Sequence, residues 1–146
     1  MSSEMAILAD VPMFALIDDE ERQTLAELLD TCHFGKGETI FSQGDAGDTV
    51  YIVRQGRVQA FITSDQGESI VVGENENGDV FGEISLLDGG PRTASVRATS
   101  RLRTLGCPNG SFRQLLLDYP LMAVNLLPQV IRRFRAVMTT ASAENA

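Results

Sequence analysis

Two side chains of opposite charge, Glu83 and Arg92, stand at the ends of a stretch running from Phe81 to Val96 that is otherwise small and turn-rich. Gly82 has no Cβ, so its backbone can lie against a ligand. Glu83 to Leu87 suffices for a single helical turn, whose free N–H groups attract an anion. Arg92 offers a planar fork of donors that matches a phosphate. Glu83 accepts hydrogen bonds from hydroxyl groups. One anion-binding end beside one hydroxyl-binding end suits a sugar phosphate. The plainer alternatives are a structural Arg92 paired with Glu83 or Asp88, and a Glu83 that is a solvated turn carboxylate or a helix cap.

The elements that must hold this stretch follow from periodicity. Asp18 with Glu21 three positions later resembles a capping box, and the acids suit a helix start. Leu25, Leu28, Leu29 and Cys32 continue that helix as one apolar stripe. Ahead of it, Val11, Met13, Phe14, Leu16 and Ile17 are expected to dock on the core. From Phe34 the period changes to two. Strands are predicted over 38–43, 50–53, 57–63, 69–72, 93–99 and 102–106, with Val58, Ala60 and Ile62 on one face. Many short strands separated by glycine turns indicate a β-sandwich or barrel. The 13 glycines gather here, as tight corners require. Asn109-Gly110-Ser111 starts a helix, and Leu127, Val130, Ile131, Phe134 and Val137 repeat at helical spacing. Pro128 inside that pattern should kink or split it. Thr139 to Ala146 reads as a frayed tail.

At Phe81-Gly82-Glu83-Ile84-Ser85-Leu86-Leu87 and Pro91-Arg92-Thr93-Ala94-Ser95-Val96 the sequence resembles the phosphate-binding cassette of cyclic nucleotide-binding domains. These are the cAMP- and cGMP-sensing modules of catabolite regulators, protein kinase regulatory subunits and gated channels. The resemblance covers roughly Phe14 to Val137. It implies a mainly β fold with flanking helices: an antiparallel β-roll of jelly-roll type, with N-terminal helices, a short cassette helix and C-terminal helices. Gly44, Gly56, Gly67, Gly78 and Gly82 fall where such a roll turns. The chain is expected to be one domain, 1–146. It divides into a helical segment 1–33, a roll 34–110 with the cassette at 81–96, helices over 111–138 and a tail 139–146.

The resemblance places Gly82, Glu83, Ile84, Ser85, Arg92, Thr93 and Ala94 at the ligand. Arg92 takes the cyclic phosphate and Glu83 the ribose 2′-hydroxyl, with backbone donors from Gly82 and Ser85. A hydroxyl at Thr93 keeps guanine open beside adenine, so the regulatory ligand is cAMP or cGMP. Val58, Ala60, Val71, Val72 and Val80 are candidates for the base wall, Val72 foremost. A lid would come from the last helix, through Gln129, Arg132, Arg133 or Arg135. The same arginines suit a solvated basic helix face near a C-terminus.

Composition bounds the alternatives. The chain has 146 residues, 43% hydrophobic and 22% charged, with a formal net charge of −8. An acidic balance opposes non-specific nucleic-acid binding through this chain. Cys32 and Cys107 form neither a disulfide framework nor a zinc pattern, which indicates small core fillers in a reducing, cytoplasmic setting. No apolar run spans a bilayer, and the start lacks a basic secretory leader. With His33 as the one histidine and no nucleophile–base pair, no metal and no catalysis are expected. The protein is read as a sensor, not an enzyme, that signals to an unknown protein partner. A homodimer through the C-terminal helix is open. The Met1 start and polar tail suggest a stand-alone bacterial protein. The alternative is the sensor portion of a catabolite-activator-type regulator without its helix-turn-helix, since nine residues follow Val137.

Overall fold

The computed structural model describes residues 18–145; the side chains of 87, 88, 129, 133, 134 and 136–145 lie outside that description. The apolar lead-in over 11–17 also falls outside it.

Helix α1 (Asp19–Ala26) opens as its acids dictate. Asp18 is the N-cap, and its carboxylate accepts the Glu21 N–H at 2.8 Å. Such a cap contributes about 0.5–2 kcal/mol. The helix is shorter than its apolar stripe suggested. After Ala26 the chain tightens, with Leu28 N–H to Leu25 O at 2.9 Å, and enters β1 (Asp30–Phe34). Cys32 therefore lies on a strand opposite Thr104, not on the helix. Its i+7 spacing from Leu25 is a coincidence of two periods.

The remaining strands are β2 (Thr39–Phe41), β3 (Thr49–Gln55), β4 (Val58–Thr63), β5 (Ser69–Asn75), β6 (Val80–Phe81), β7 (Ser95–Ala98) and β8 (Leu102–Pro108). They form two antiparallel four-stranded sheets, ordered β1-β8-β3-β6 and β2-β7-β4-β5. This is the β-roll expected from the sequence. Three helices complete it: α2 (Glu83–Asp88), α3 (Asn109–Asp118) and α4 (Pro120–Asn145).

The central strands of the first sheet are buried on both faces, and this is why β3 is nearly continuously apolar. Val50 and Ile52 pack toward the helices with Leu25, Phe112, Leu115 and Met122. Val53, with Tyr51 against it, packs toward the second sheet with Val58, Val96 and Leu102. A strand covered on both faces has no polar side to alternate with. On β8, Leu105 and Cys107 likewise face the helices while Leu102 faces the second sheet. Burial pushes the Cys107 thiol up to about 11, so it stays protonated and unreactive at neutral pH.

Strand β2 ends early because Asp45 captures the Ser42 N–H at 3.0 Å. The β4–β5 pairing shifts after Ala60, where Ala60 faces Gly73 and Phe61 faces Val71, so the extra residue is Val72 on β5. The five predicted corner glycines all have positive φ. Pro128 does not split the last helix, which runs unbroken to Asn145, so residues 139–145 continue it instead of fraying. Among the described residues, no helix is long and apolar enough to cross a membrane.

Candidate functional site

One cavity of about 260 Å³ opens between β5, α2, the start of β7 and α4. It is lined by the whole predicted ligand set: Gly82, Glu83, Ile84, Ser85, Arg92, Thr93, Ala94 and Val72. The cassette is thus a physical cluster as well as a sequence motif.

Arg92 is the centre of it. Only 4% exposed, it is held from three sides. One guanidinium nitrogen (Nη1) donates to Gly82 O at 2.9 Å, and the other (Nη2) to Thr49 O at 2.7 Å. Its Cζ lies 3.9 Å from the centroid of the Phe41 ring, a desolvated cation–π contact. Phe41 itself belongs to an aromatic trio. Tyr51 and Phe81 stack with centroids 5.1 Å apart, and Phe41 lies 6.0 Å from Phe81. The backbone of Arg92 is fixed as well, by Arg92 N–H to Asp45 O at 2.8 Å and Gly44 N–H to Arg92 O at 2.9 Å. Both of these side-chain hydrogen bonds go to backbone carbonyls. The Arg92 Nε is buried with no hydrogen-bond partner among the described residues. Burial lowers the guanidinium pKa, while Tyr51, Asp48, Glu83 and Asp45 oppose that shift and favour the charged form. An Arg in this setting remains a cation at physiological pH.

Gly82 is required twice over. Its φ of 83° is left-handed, and an added Cβ would sit 2.7 Å from the Arg92 Nη1. Its turn starts α2, and Gly89 ends it, also left-handed, with its N–H on Ser85 O at 3.0 Å. The Gly89-Gly90 pair thus contains the helix C-cap. Glu83, at 0% exposure, is no solvated turn acid.

The second tier was not legible in the sequence. Loop 44–48 lies so close to α2 that a Cβ on Gly47 would fall 2.3 Å from the Ser85 Cβ and 3.3 Å from the Arg92 Cζ. Asn109, the first residue of α3, donates its side-chain N–H to Gly47 O at 2.6 Å. Arg113 on the same helix donates to Leu86 O on α2 at 2.7 Å. Helix α3 is therefore tied directly to both walls of the anion site. No local spacing could have signalled these pairs, which join residues 62 and 27 positions apart.

Of the base-wall candidates, Ala60 and Val72 line the cavity. Val58 and Val80 are core residues at 1% exposure, and Val71 faces away at 45%. From α4, which packs on β5, Arg132 reaches the cavity. Arg135 is exposed and not part of the lining, while the side chains of Gln129 and Arg133 lie outside the described residues. Among the described residues there is no group of three or more His, Cys, Asp or Glu placed to hold a metal.

This chain belongs to the cyclic nucleotide-binding domain family, whose signature matches residues 31–119. Over 111 residues it is 38% identical to a cAMP-dependent protein kinase regulatory subunit of Emericella nidulans, covering 76% of this chain and 26% of that protein. Over 129 residues it is 30% identical to a CRP-like cAMP-activated global transcriptional regulator of Mycobacterium tuberculosis, covering 88% of this chain and 58% of the regulator. The regulatory subunit of a cAMP-independent protein kinase A from Trypanosoma cruzi, bound to guanosine, has the same fold with a TM-score of 0.79. It is 28% identical, and the match covers 94% of this chain and 49% of that one. The chain thus spans about a quarter of the fungal relative and just over half of the mycobacterial one. These relatives are regulatory proteins from a fungus, a bacterium and a trypanosome, so the similarity does not single out a bacterial source.

Proposed function

We propose that the chain is a single sensor domain that binds cAMP or cGMP in the cavity and relays occupancy through α4 to a protein partner. The observation that carries this reading is Arg92: a buried cation whose Nε has no partner, in the same cavity as the buried carboxylate of Glu83. The cyclic phosphate meets Arg92 and the backbone near Ser85. The ribose 2′-hydroxyl donates to Glu83. The base lies toward Val72 and Ala60, with Thr93 at its edge and Arg132 of α4 over the opening. The cavity volume is near the lower end of the roughly 300–1,000 Å³ of ligand sites, which suits one mononucleotide. Two relatives carry cAMP in their names and a third was solved with guanosine, which supports a purine ligand without choosing the base.

Asn109 and Arg113 give the relay a physical route, since they couple α3 to the loop and helix that bracket Arg92. Occupancy shifts α4 only if the ligand binds one helix position more tightly than another. Pro128 removes one intrahelical hydrogen bond and is where α4 bends most easily.

Calorimetric titration with each nucleotide tests the reading, with Glu83→Gln alongside wild type. Wild type should bind in the micromolar range or tighter, and the ratio of the two affinities identifies the base. Glu83→Gln should keep the fold and bind about ten- to a hundredfold more weakly, the worth of one charge-assisted hydrogen bond of ~1.5–3 kcal/mol. An absence of heat with both nucleotides would overturn the proposal.

A second reading concerns assembly. Leu121, Val124, Leu127 and Ile131 form a stripe along α4 at 54%, 56%, 52% and 49% exposure. Such a seam suits pairing with another copy, as in the sensor portion of a catabolite-activator-type regulator. Sedimentation should show a dimer that Val124→Glu with Ile131→Glu converts to monomer; a monomeric wild type would exclude it.

A further inference from the structure

We propose that the end of the roll carrying Lys36, Arg57, Arg101 and Arg103 is a docking surface for an acidic polypeptide segment of a partner protein. These are four of the 12 lysines and arginines of a chain whose net charge is nevertheless −8. They come from three separate turns and a strand, yet the fold gathers them. The turn containing Lys36 is pinned by Gly37 N–H to Ala98 O at 2.7 Å. The turn containing Arg57 is pinned to the next one by Thr99 N–H to Arg57 O at 3.0 Å and by Arg57 N–H to Ser100 Oγ at 3.0 Å. A Cβ on Gly56 would lie 2.4 Å from Arg101 O, so the backbones of these two turns are in contact. Arg103 follows at the start of β8, opposite His33 on β1 and Gln55 on β3.

All four cations are exposed, and none forms an ion pair with a described residue. Glu38 and Glu76 stand at the margin, and the Glu38 carboxylate is already engaged by the Gly35 N–H at 3.1 Å. Unneutralised like charges held together by rigid turns repel one another, and an anionic partner relieves that repulsion.

The size and surroundings favour a peptide. The patch is a few strands wide, at about 4.8 Å per strand, against the roughly 20 Å breadth of duplex DNA, and the acidic remainder of the surface repels a long polyanion. Its neighbours Thr99 and Gln55, both exposed, and the half-buried Ser100 are polar or small and offer no apolar wedge for a bilayer. The patch also sits apart from the nucleotide cavity. Thr49 and Gln55 are opposite ends of β3, about 20 Å apart at ~3.3 Å per residue, and Thr49 holds Arg92.

The test uses the full chain and a fluorescein-labelled octaglutamate peptide, read by anisotropy at about 50 mM and about 300 mM salt. The peptide should bind at the lower salt and weaken at the higher. The triple variant Arg57→Glu, Arg101→Glu, Arg103→Glu should bind it at least tenfold more weakly, with an unchanged thermal midpoint. Arg135→Glu, a charge reversal elsewhere, should leave peptide binding intact. Nucleotide titration of the triple variant should match wild type, so that a failure here is separate from a failure of the sensor reading. No binding by wild type, equal binding by the triple variant, or equal loss in Arg135→Glu would overturn the proposal. So would tighter binding of a DNA duplex or of phosphatidylserine vesicles than of the peptide.

Discussion

Arg92→Ala should lower nucleotide affinity at least a hundredfold. The fork offers the phosphate more than one charge-assisted hydrogen bond at ~1.5–3 kcal/mol each, and each 1.4 kcal/mol is a factor of about ten. The substitution also strips the Gly82 and Thr49 carbonyls of their donor and leaves the Phe41 ring without its cation. A buried acceptor left unpaired costs about 1–3 kcal/mol, so the thermal midpoint should fall by several degrees. Arg92→Lys separates the two effects. It retains the charge but cannot span Gly82 O, Thr49 O and a phosphate at once. Its affinity should fall about tenfold or more below wild type, yet remain above that of alanine. Equal affinities for wild type and Arg92→Lys would show that a point charge is enough. Equal affinity for wild type and Arg92→Ala would remove Arg92 from the site.

Gly47→Ala is the second large effect, and it acts without touching a ligand. The φ of Gly47 is not left-handed, so alanine meets no backbone strain there. The conflict is purely one of space, with Ser85 Cβ at 2.3 Å and Ser85 Oγ at 2.4 Å from the new methyl group. The loop must retreat from α2, carrying Asp48 and the Thr49 carbonyl with it. Overpacking of this kind costs about 1–3 kcal/mol. Affinity should fall about tenfold or more as Arg92 loses its seat, and the midpoint should drop several degrees. Gly110→Ala is the control: a Cβ there meets nothing within 4 Å, and the position is helical. Replacing a helical glycine by alanine is neutral to stabilising, by up to about 1 kcal/mol. Similar losses in the two variants would refute the steric account.

The contrast between Arg92 and Gly47 shows how much was legible in the sequence. Gly82 to Ala94 is one continuous segment, so its gathering around one cavity could be anticipated from order and residue type alone. Most of the roll could be read as well, because its corners as far as β6 carry glycines and most strands an apolar signature, but β1 (Asp30–Phe34) and β6 (Val80–Phe81) were not legible as strands. The acceptors that hold Arg92 could not, since Thr49 is 43 positions away and contributes only a carbonyl, which every residue has. Phe41 gave no sign either, because its ring serves both the inter-sheet core and the cation. Cys32 misled because helical and strand periods coincide over a few residues. Pro128 misled because a helix packed along a sheet tolerates one missing hydrogen bond.

The two carbonyl bonds and the ring beneath Arg92 have a thermodynamic meaning for recognition. A free arginine loses up to about 2 kcal/mol of rotamer entropy when it is immobilised. Here the folded chain has already met that cost, because Thr49, Gly82 and Phe41 orient the guanidinium before any phosphate arrives. More of each new contact is therefore realised as affinity, and the fork itself has little left to change. A stiff anchor makes a poor messenger, so in the proposed sensor the report of occupancy falls to another part of the cavity wall, such as α4, which contributes Arg132.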